Sequence, residues 1–449
     1  MTTLSVIQKS QLEGVSRLDA EYYQLEYLAL NTMLNSRKCS VLHDLTNFVK
    51  KGIFDISPER YTSFGIPLVR VQNIKNGAIA EGNLVYITPE DHDDEKKTEL
   101  EGFDLVFSKV GTVGEIAFLN PKYPKWNFSQ NVIGAKIKKE KISPAYLLFF
   151  LLSGIGRLQI KRAEMFQVQP KLELEDVRNL RIVRIKNEDL FDSYLDNFLA
   201  TGNESKNFYS QAENLLLEEL GLKNFLVEDD SSFIINLSDV KSAKRTDSDF
   251  FQPKYEALIS HFKKSAKLLK DVASRSTAVV KIDSEAEYKY IEISDINTAS
   301  GEITVNTVMG RDLPANAKMK IYGGELLISK VRPTRGAVAI VPESWTNDYV
   351  ASGAFSIFKT ESPKREYLQV VMRSIIGKLQ LEKPTTGTSY PTVTDQDVEN
   401  ILIPVISKLT QQKIADLVKK SHEARKKSKE LLEEAKRKVE EIIEKGGEN

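Results

Sequence analysis

RLDAEYYQLEY at residues 17–27 and RTDSDFFQPKY at residues 245–255 decide how this chain is read. Arg17 aligns with Arg245, Asp19 with Asp247, Tyr22-Tyr23 with Phe250-Phe251, Gln24 with Gln252 and Tyr27 with Tyr255, all at one offset of 228. Working outward, GFDLVFSKVGTVGEIAFL (102–119) meets GGELLISKVRPTRGAVAIV (323–341), with Ser108-Lys109-Val110 on Ser329-Lys330-Val331 at an offset of 221. That register then holds: Tyr146 falls on Tyr367, Gly156 on Gly377, Leu158 on Leu379, Pro170 on Pro391 and Val177 on Val398. Upstream, VRVQNIKNGAI (69–79) matches IEISDINTASGEI (291–303) with small insertions. A register kept this long signals duplication, and two copies make a two-domain protein rather than a solenoid.

Length and composition agree. A chain of 449 residues exceeds one ordinary core. With 41% apolar and 28% charged residues it reads as globular. The single cysteine, Cys39, excludes a disulfide scaffold and a thiolate zinc site. The four histidines, His43, His92, His261 and His422, form no spaced metal motif. The first residues lack a signal-peptide core and no apolar run reaches membrane-spanning length, so a cytoplasmic location is expected. The 63 basic and 63 acidic residues cancel, so the basic excess common in DNA binders is missing.

The expected fold class is mixed α/β (α+β), duplicated, with two long helices pairing as an antiparallel coiled-coil spacer about a pseudo-two-fold. Each copy opens on a short helix, near 22–35 and 251–271. Val/Ile/Phe-rich strand segments follow: 67–71, 104–110, 115–119 and 131–137, against 288–293, 325–331, 337–341 and 354–358. An apolar helix comes next (144–154 and 364–375), then a strand near 180–185 and 401–405. Domains are drawn at 1–187 and 236–405, with helical spacers at 188–235 and 406–449. TGNES (201–205) is expected to break or kink the first spacer. The spacer seam is read as Leu195, Phe198, Leu215, Leu216, Ile414, Leu417, Leu431, Ala435 and Ile442, from their three-four spacing.

No catalytic constellation emerges. KVGTVGEIAF (109–118) lacks the ending of a nucleotide P-loop, and its mate replaces Gly111 by Arg332, so GTVG reads as a turn. DHDDEKKTE (91–99) reads as a solvated loop, and His422 in HEARK as a helix-surface residue. Ser108 and Ser329 close strands, and Trp126 and Trp345 are packing residues. The chain is read as non-enzymatic, binding no cofactor or metal. Two rivals stay open: a tandem scaffold that binds only proteins, and a diverged enzyme.

The paired RLDAEYY/RTDSDFF motif, the FSKV/ISKV strand with its turn, and the long helix behind each copy resemble the specificity subunit of Type I restriction-modification systems, over nearly the whole chain. The resemblance implies target recognition domains at about 36–187 and 272–405, each reading one half of a split sequence in double-stranded DNA. It implies helices that set the gap and dock two methyltransferase subunits. Restriction subunits, S-adenosylmethionine, ATP and Mg are then expected on the partner side, with no membrane.

Within that resemblance, base readers should sit where the copies diverge, because Lys and Arg on phosphates give affinity while side chains on base edges discriminate. Three regions qualify. The turn after the Ser-Lys-Val strand offers Lys109 and Thr112, against Lys330, Arg332, Thr334 and Arg335. The segment 122–131 offers Lys122, Lys125, Gln130 and Asn131, against a more neutral set with Asn347 and Tyr349. The segment after the apolar helix offers Lys161, Arg162, Gln167, Gln169 and Lys171, against Lys383, Thr385, Thr386, Ser389 and Tyr390. The recurring residues Arg17, Asp19, Tyr22, Tyr23, Arg245, Asp247, Phe250 and Phe251 are assigned to subunit or interdomain contacts.

Overall fold

A computed structural model describes residue 7 and residues 20–53, 56–75, 77–164, 170–345, 349–361, 364–387 and 390–446. Two compact units emerge: residues 1–201 with 426–449, and residues 202–425.

In the first unit an antiparallel four-stranded sheet runs Thr46–Lys51, Val132–Ile137, Leu105–Ser108, Ile116–Phe118. Side chains alternate across a strand, and here each face has its own core. Leu105, Phe107, Ile133 and Ala135 face the helices Pro144–Leu152 and Gly154–Ala163. Val106, Ala117 and Val132 face a second core with Trp126 and Phe128. Burial on both sides explains why LVFS reads as a continuous apolar run. A smaller sheet places Ile66–Val69 between Val85–Ile87 and Asn127–Phe128, the latter pair parallel.

The second unit repeats this plan. Ser274–Arg275, Phe355–Lys359, Leu326–Ser329 and Val338–Ile340 form its four-stranded sheet. Leu326 and Ile328 face the helix-side core and Leu327 the other. Glu287–Ile291 pairs in parallel with Tyr349–Ser352 in the smaller sheet. The offset of 221 survives at the level of single hydrogen bonds. Gln159 donates to Arg181 O (3.0 Å) and accepts from its N–H (2.9 Å); Gln380 does the same with Leu402 at 2.9 and 2.8 Å. The buried Tyr146 hydroxyl donates to Val183 O, and Tyr367 to Pro404 O.

Three expectations are corrected. The second opening helix ends early: Pro253–Ser260 gives way to strand Ala266–Leu268, which pairs with Leu402–Pro404. TGNES does not break its helix, which runs unbroken over Asp192–Glu219. Gly202 costs about 1 kcal/mol there, but its neighbours Thr201 and Ser205 are buried and bonded: Thr201 donates to Asn197 O (2.7 Å) and Ser205 to Ser421 O (2.8 Å). The expected seam is only partly in phase on the helix Lys408–Glu444, where Ile414 and Ala435 are buried. Ile414, Ala415, Val418, Ser421, Ser428, Leu432, Ala435, Val439 and Ile443 are the buried positions. Leu417, Leu431 and Ile442 are only half-buried, whereas Leu195, Phe198 and Leu216 are buried and Leu215 packs partly against the core. Within the first unit Tyr194 meets Glu434 and Ser428 donates to Phe198 O. Within the second, Ser205 and Ser421 exchange hydrogen bonds. In each unit the two helices therefore run antiparallel.

Candidate nucleic-acid interface

The turn after each Ser-Lys-Val strand is held from two sides. The main chain clamps it: Leu172 N–H donates to Lys109 O (3.0 Å), and Val393 N–H to Lys330 O (2.9 Å). The strand-ending serine closes it from beneath, Ser108 donating to Thr112 O and Ser329 to Val331 O (2.7 Å). Both serines are thus structural. Gly111 and Gly114 take positive φ (76° and 75°), which glycine adopts at no steric cost. In the second copy the position of Gly111 is Arg332, held at φ 48°. A non-glycine residue there carries backbone strain of about 1–3 kcal/mol, a pattern found at functional positions. The Arg332 guanidinium lies 4.5 Å from the ring centre of the exposed Tyr390.

Beside the first turn lies a cleft of about 250 Å³ lined by Ile53, Ile56, Tyr61, Leu68, Arg70, Val71, Gln72, Ser129, Gln130 and Asn131. Among the described residues no carboxylate lines it. Its floor is apolar and its rim carries one guanidinium and three amides. Arg70 sits over Tyr61 (5.5 Å), while Gln72, Gln130 and Asn131 are exposed. The β-type pairing of Ile66–Val69 with Asn127–Phe128, continued by Ser129 N–H to Val69 O (2.9 Å), brings 70–72 beside 129–131. Lys109 N–H donates to Asn131 O (3.0 Å), which joins turn and cleft. Partial burial, together with the charges of Lys51 and Lys171 beside it, holds the Lys109 ammonium below the usual lysine range. Glu173 lies 3.5 Å from Lys51. This is a partly exposed basic cluster at the turn.

The second unit fills the same backbone positions differently. The turn Ile293–Asp295 matches Val71–Asn73. Glu292 and Ser294 thereby replace Arg70 and Gln72, and Gly353 and Ala354 replace Gln130 and Asn131. Ser294 donates to Glu292 (2.6 Å). Lys330 is paired to Asp395 (3.0 Å), which also faces Arg275 (3.7 Å). Burial would raise the Asp395 carboxyl, but Ser356, Lys330 and Arg275 around it bring it below the usual range. Thr334 is half-exposed and Arg335 exposed.

Other expected contact residues are placed elsewhere. Arg162 is buried, its Nε donating to Tyr22 O (3.1 Å) and its guanidinium 4.0 Å from the Tyr22 ring. Lys383, at the equivalent position, stands over Phe250 (5.2 Å) and 3.5 Å from Glu256. These two cations fasten the leading motif to its own unit. Lys161 pairs with Glu26 (3.3 Å) on the same surface. Lys125 pairs with Glu99 (3.4 Å), and Lys122 reaches Glu81 (3.8 Å). Thr112 is exposed and Lys171 half-buried. Thr386 bridges to Thr392, and Thr385 donates to Glu382 O (2.7 Å). Arg245 pairs with Asp247 (2.6 Å) and donates to Pro384 O and Thr385 O. Phe250 and Phe251 stack edge to face, as do Tyr22 and Tyr23. Arg17, Asp19, Gln167, Gln169, Asn347 and Ser389 lie outside the described residues.

DHDDEKKTE is not a solvated loop. Residues Pro89–Asp94 are helical, Asp91 and His92 are buried, Asp91 pairs with Arg60, and His92 Nε2 meets Glu99 at 2.9 Å. His422 is half-buried on its helix, and desolvation, with Arg425 and Arg373 nearby, pushes its imidazole down to about 4. Among the described residues no His/Cys/Asp/Glu group could hold a metal ion, and no helix is long and apolar enough to cross a membrane.

Sequence reasoning missed Arg70, Gln72, Lys51, Glu292 and Ser294. The signal was present, since VRVQN against IEISD reverses charge at one aligned position.

Comparison with known proteins completes the description. The family model for the Type I restriction modification DNA specificity domain matches residues 38–183 and 267–437. The Type I restriction enzyme HindI specificity subunit of Haemophilus influenzae is 27% identical over 112 residues, 24% of this chain and 24% of that protein. The match thus spans about a quarter of that relative's length. Two similar solved structures are the Type I restriction-modification S subunit from M. genitalium and the HsdS subunit from Thermoanaerobacter tengcongensis. The first has TM-score 0.37 and 12% identity, covering 90% of this chain and 94% of that one. The second has TM-score 0.30 and 13% identity, covering 92% and 96%. With the family model matching both copies of the repeat and well over half the sequence, the chain belongs to the Type I restriction modification DNA specificity domain family.

Proposed function

We propose that this chain is the DNA-reading subunit of a Type I restriction-modification enzyme, each copy reading one half of a bipartite target in double-stranded DNA. One observation carries the reading: two copies of one hydrogen-bonded frame present turns and cleft rims of different chemistry. An asymmetric split target needs that combination. Lys51, Lys109 and Lys171 supply phosphate contacts at the first unit. Arg332, Thr334 and Arg335, on a strained turn beside Tyr390, contact the second half-site. The long helices set the gap and dock two methyltransferase subunits, with restriction subunits completing the enzyme. The chain itself is non-catalytic; S-adenosylmethionine, ATP and Mg belong to those partners, in the cytoplasm.

The test is to co-express the chain with its cognate methyltransferase and map adenine methylation. A split motif with a fixed gap is the expected result. Active methyltransferase that modifies no split motif would refute the reading.

A further inference from the structure

The rim residues of the first cleft carry a more specific conclusion, which rests on the DNA reading above. Arg70, Gln72, Gln130 and Asn131 come from two segments far apart in sequence. The parallel pairing of Ile66–Val69 with Asn127–Phe128 brings them to one edge. Below them, Ile53, Ile56 and Leu68 provide an apolar floor. A guanidinium matches the two major-groove acceptors of guanine, a side-chain amide matches the donor and acceptor of adenine, and an apolar surface suits the thymine methyl group.

At the same frame positions the second unit has Glu292, Ser294, Gly353 and Ala354. Glu292 is exposed and accepts from Ser294 (2.6 Å). A carboxylate cannot donate to guanine, and glycine and alanine have no side-chain amide to offer adenine. The charge at this position is reversed between the copies, whereas the hydrogen bonds that build the turn are retained. Arg70 N–H is capped by Asn73 (2.9 Å) and Glu292 N–H by Asp295 (2.8 Å).

We infer that Arg70, Gln72, Gln130 and Asn131 are specificity-determining residues of the first unit, that they read a guanine- and adenine-containing segment from the major groove, and that the second unit reads a different half-site. Arg70 is assigned to guanine and the amides to adenine.

The experiment compares methylation motifs made by the complex of methyltransferase with wild-type chain, Arg70→Ala, Arg70→Lys, Gln72→Ala and Gln130→Ala. Discrimination at one base pair of one half-site should fall roughly 5- to 150-fold per lost bidentate contact, with the other half-site and the gap unchanged. Arg70→Lys keeps the charge and loses the fork, so it should retain DNA affinity while relaxing the guanine position. Thermal melting of each variant establishes that it is folded before its motif is read. A wild-type split motif that stays stringent in every folded variant overturns this inference and leaves the DNA reading standing. Relaxation of the opposite half-site, or of both, overturns it as well. Absence of any split motif from the wild-type complex overturns the DNA reading, and this inference with it.

Discussion

Replacing Lys254 by methionine should destabilise the second unit far more than the equivalent change at Lys161 destabilises the first. Lys254 is only 7% exposed and lies 2.8 Å from Asp229 and 2.6 Å from Glu382, whose carboxylate also accepts from Tyr255 (3.1 Å). Breaking a buried ion pair typically costs about 3–5 kcal/mol. Glu382 is 38% exposed, so water recovers part of that, and we expect about 2 kcal/mol for Lys254→Met. The first unit holds the same pair with its charges exchanged: Glu26 on the leading helix and Lys161 behind it, 3.3 Å apart and 45% and 59% exposed. A pair that open contributes about 0.5 kcal/mol. In thermal denaturation these figures become shifts of roughly 4–8 °C and 1–2 °C. Lys254→Glu should cost more than Lys254→Met, because it sets two carboxylates together. The double exchange Lys254→Glu with Glu382→Lys should recover most of that loss by recreating the arrangement of the first unit. Equal losses at Lys161 and Lys254, or no recovery in the double exchange, would refute the reasoning.

Three further outcomes are expected. The folded His422 imidazole titrates near 4, below its ordinary range, so the unfolded chain binds more protons between about pH 6.5 and 4. Its contribution of up to about 3 kcal/mol is complete above pH 6.5 and is lost as pH falls toward 4. Wild type should therefore lose stability relative to His422→Gln as pH falls through that window, and parallel curves would be the contrary result. Ser421→Leu overfills a fully buried seam position and removes the exchange with Ser205, so its urea midpoint should drop by the equivalent of about 1–3 kcal/mol. An unchanged midpoint would mean the helices do not pack there. Arg332→Gly relieves the positive-φ strain and should melt no lower than wild type, while methylation of one half-site becomes less selective. Lower melting with full selectivity would reverse the assignment.

The duplication was legible because hydrogen-bond geometry demands the same side chain at the same place. Tyr146 and Tyr367 tie down one strand, and aligned sequence shows them directly. The seam was less legible. Buried serines at 421 and 428 interrupt the apolar stripe, and adjacent pairs such as Leu431-Leu432 and Ile442-Ile443 leave its phase open by one residue. TGNES misled because local propensity is outweighed by burial and by the bonds of Thr201 and Ser205. The site was half legible. Gln130 and Asn131 stood in a divergent segment, but Arg70 and Gln72 lie in a stretch whose strand pattern hid their exposure. Arg162 and Lys383 looked like surface cations because the rings that hold them belong to residues more than a hundred positions away.

The exchanged ion pair bears on heredity as well as on stability. Glu26 matches Lys161, and Lys254 matches Glu382, but the mixed combinations set like charges together. A genetic crossover that joined the leading motif of one copy to the body of the other would bring Glu26 against Glu382, or Lys254 against Lys161. The smallest segment such genes can trade without penalty therefore runs from the leading motif to the helix behind it, carrying a whole reader with its own fastening.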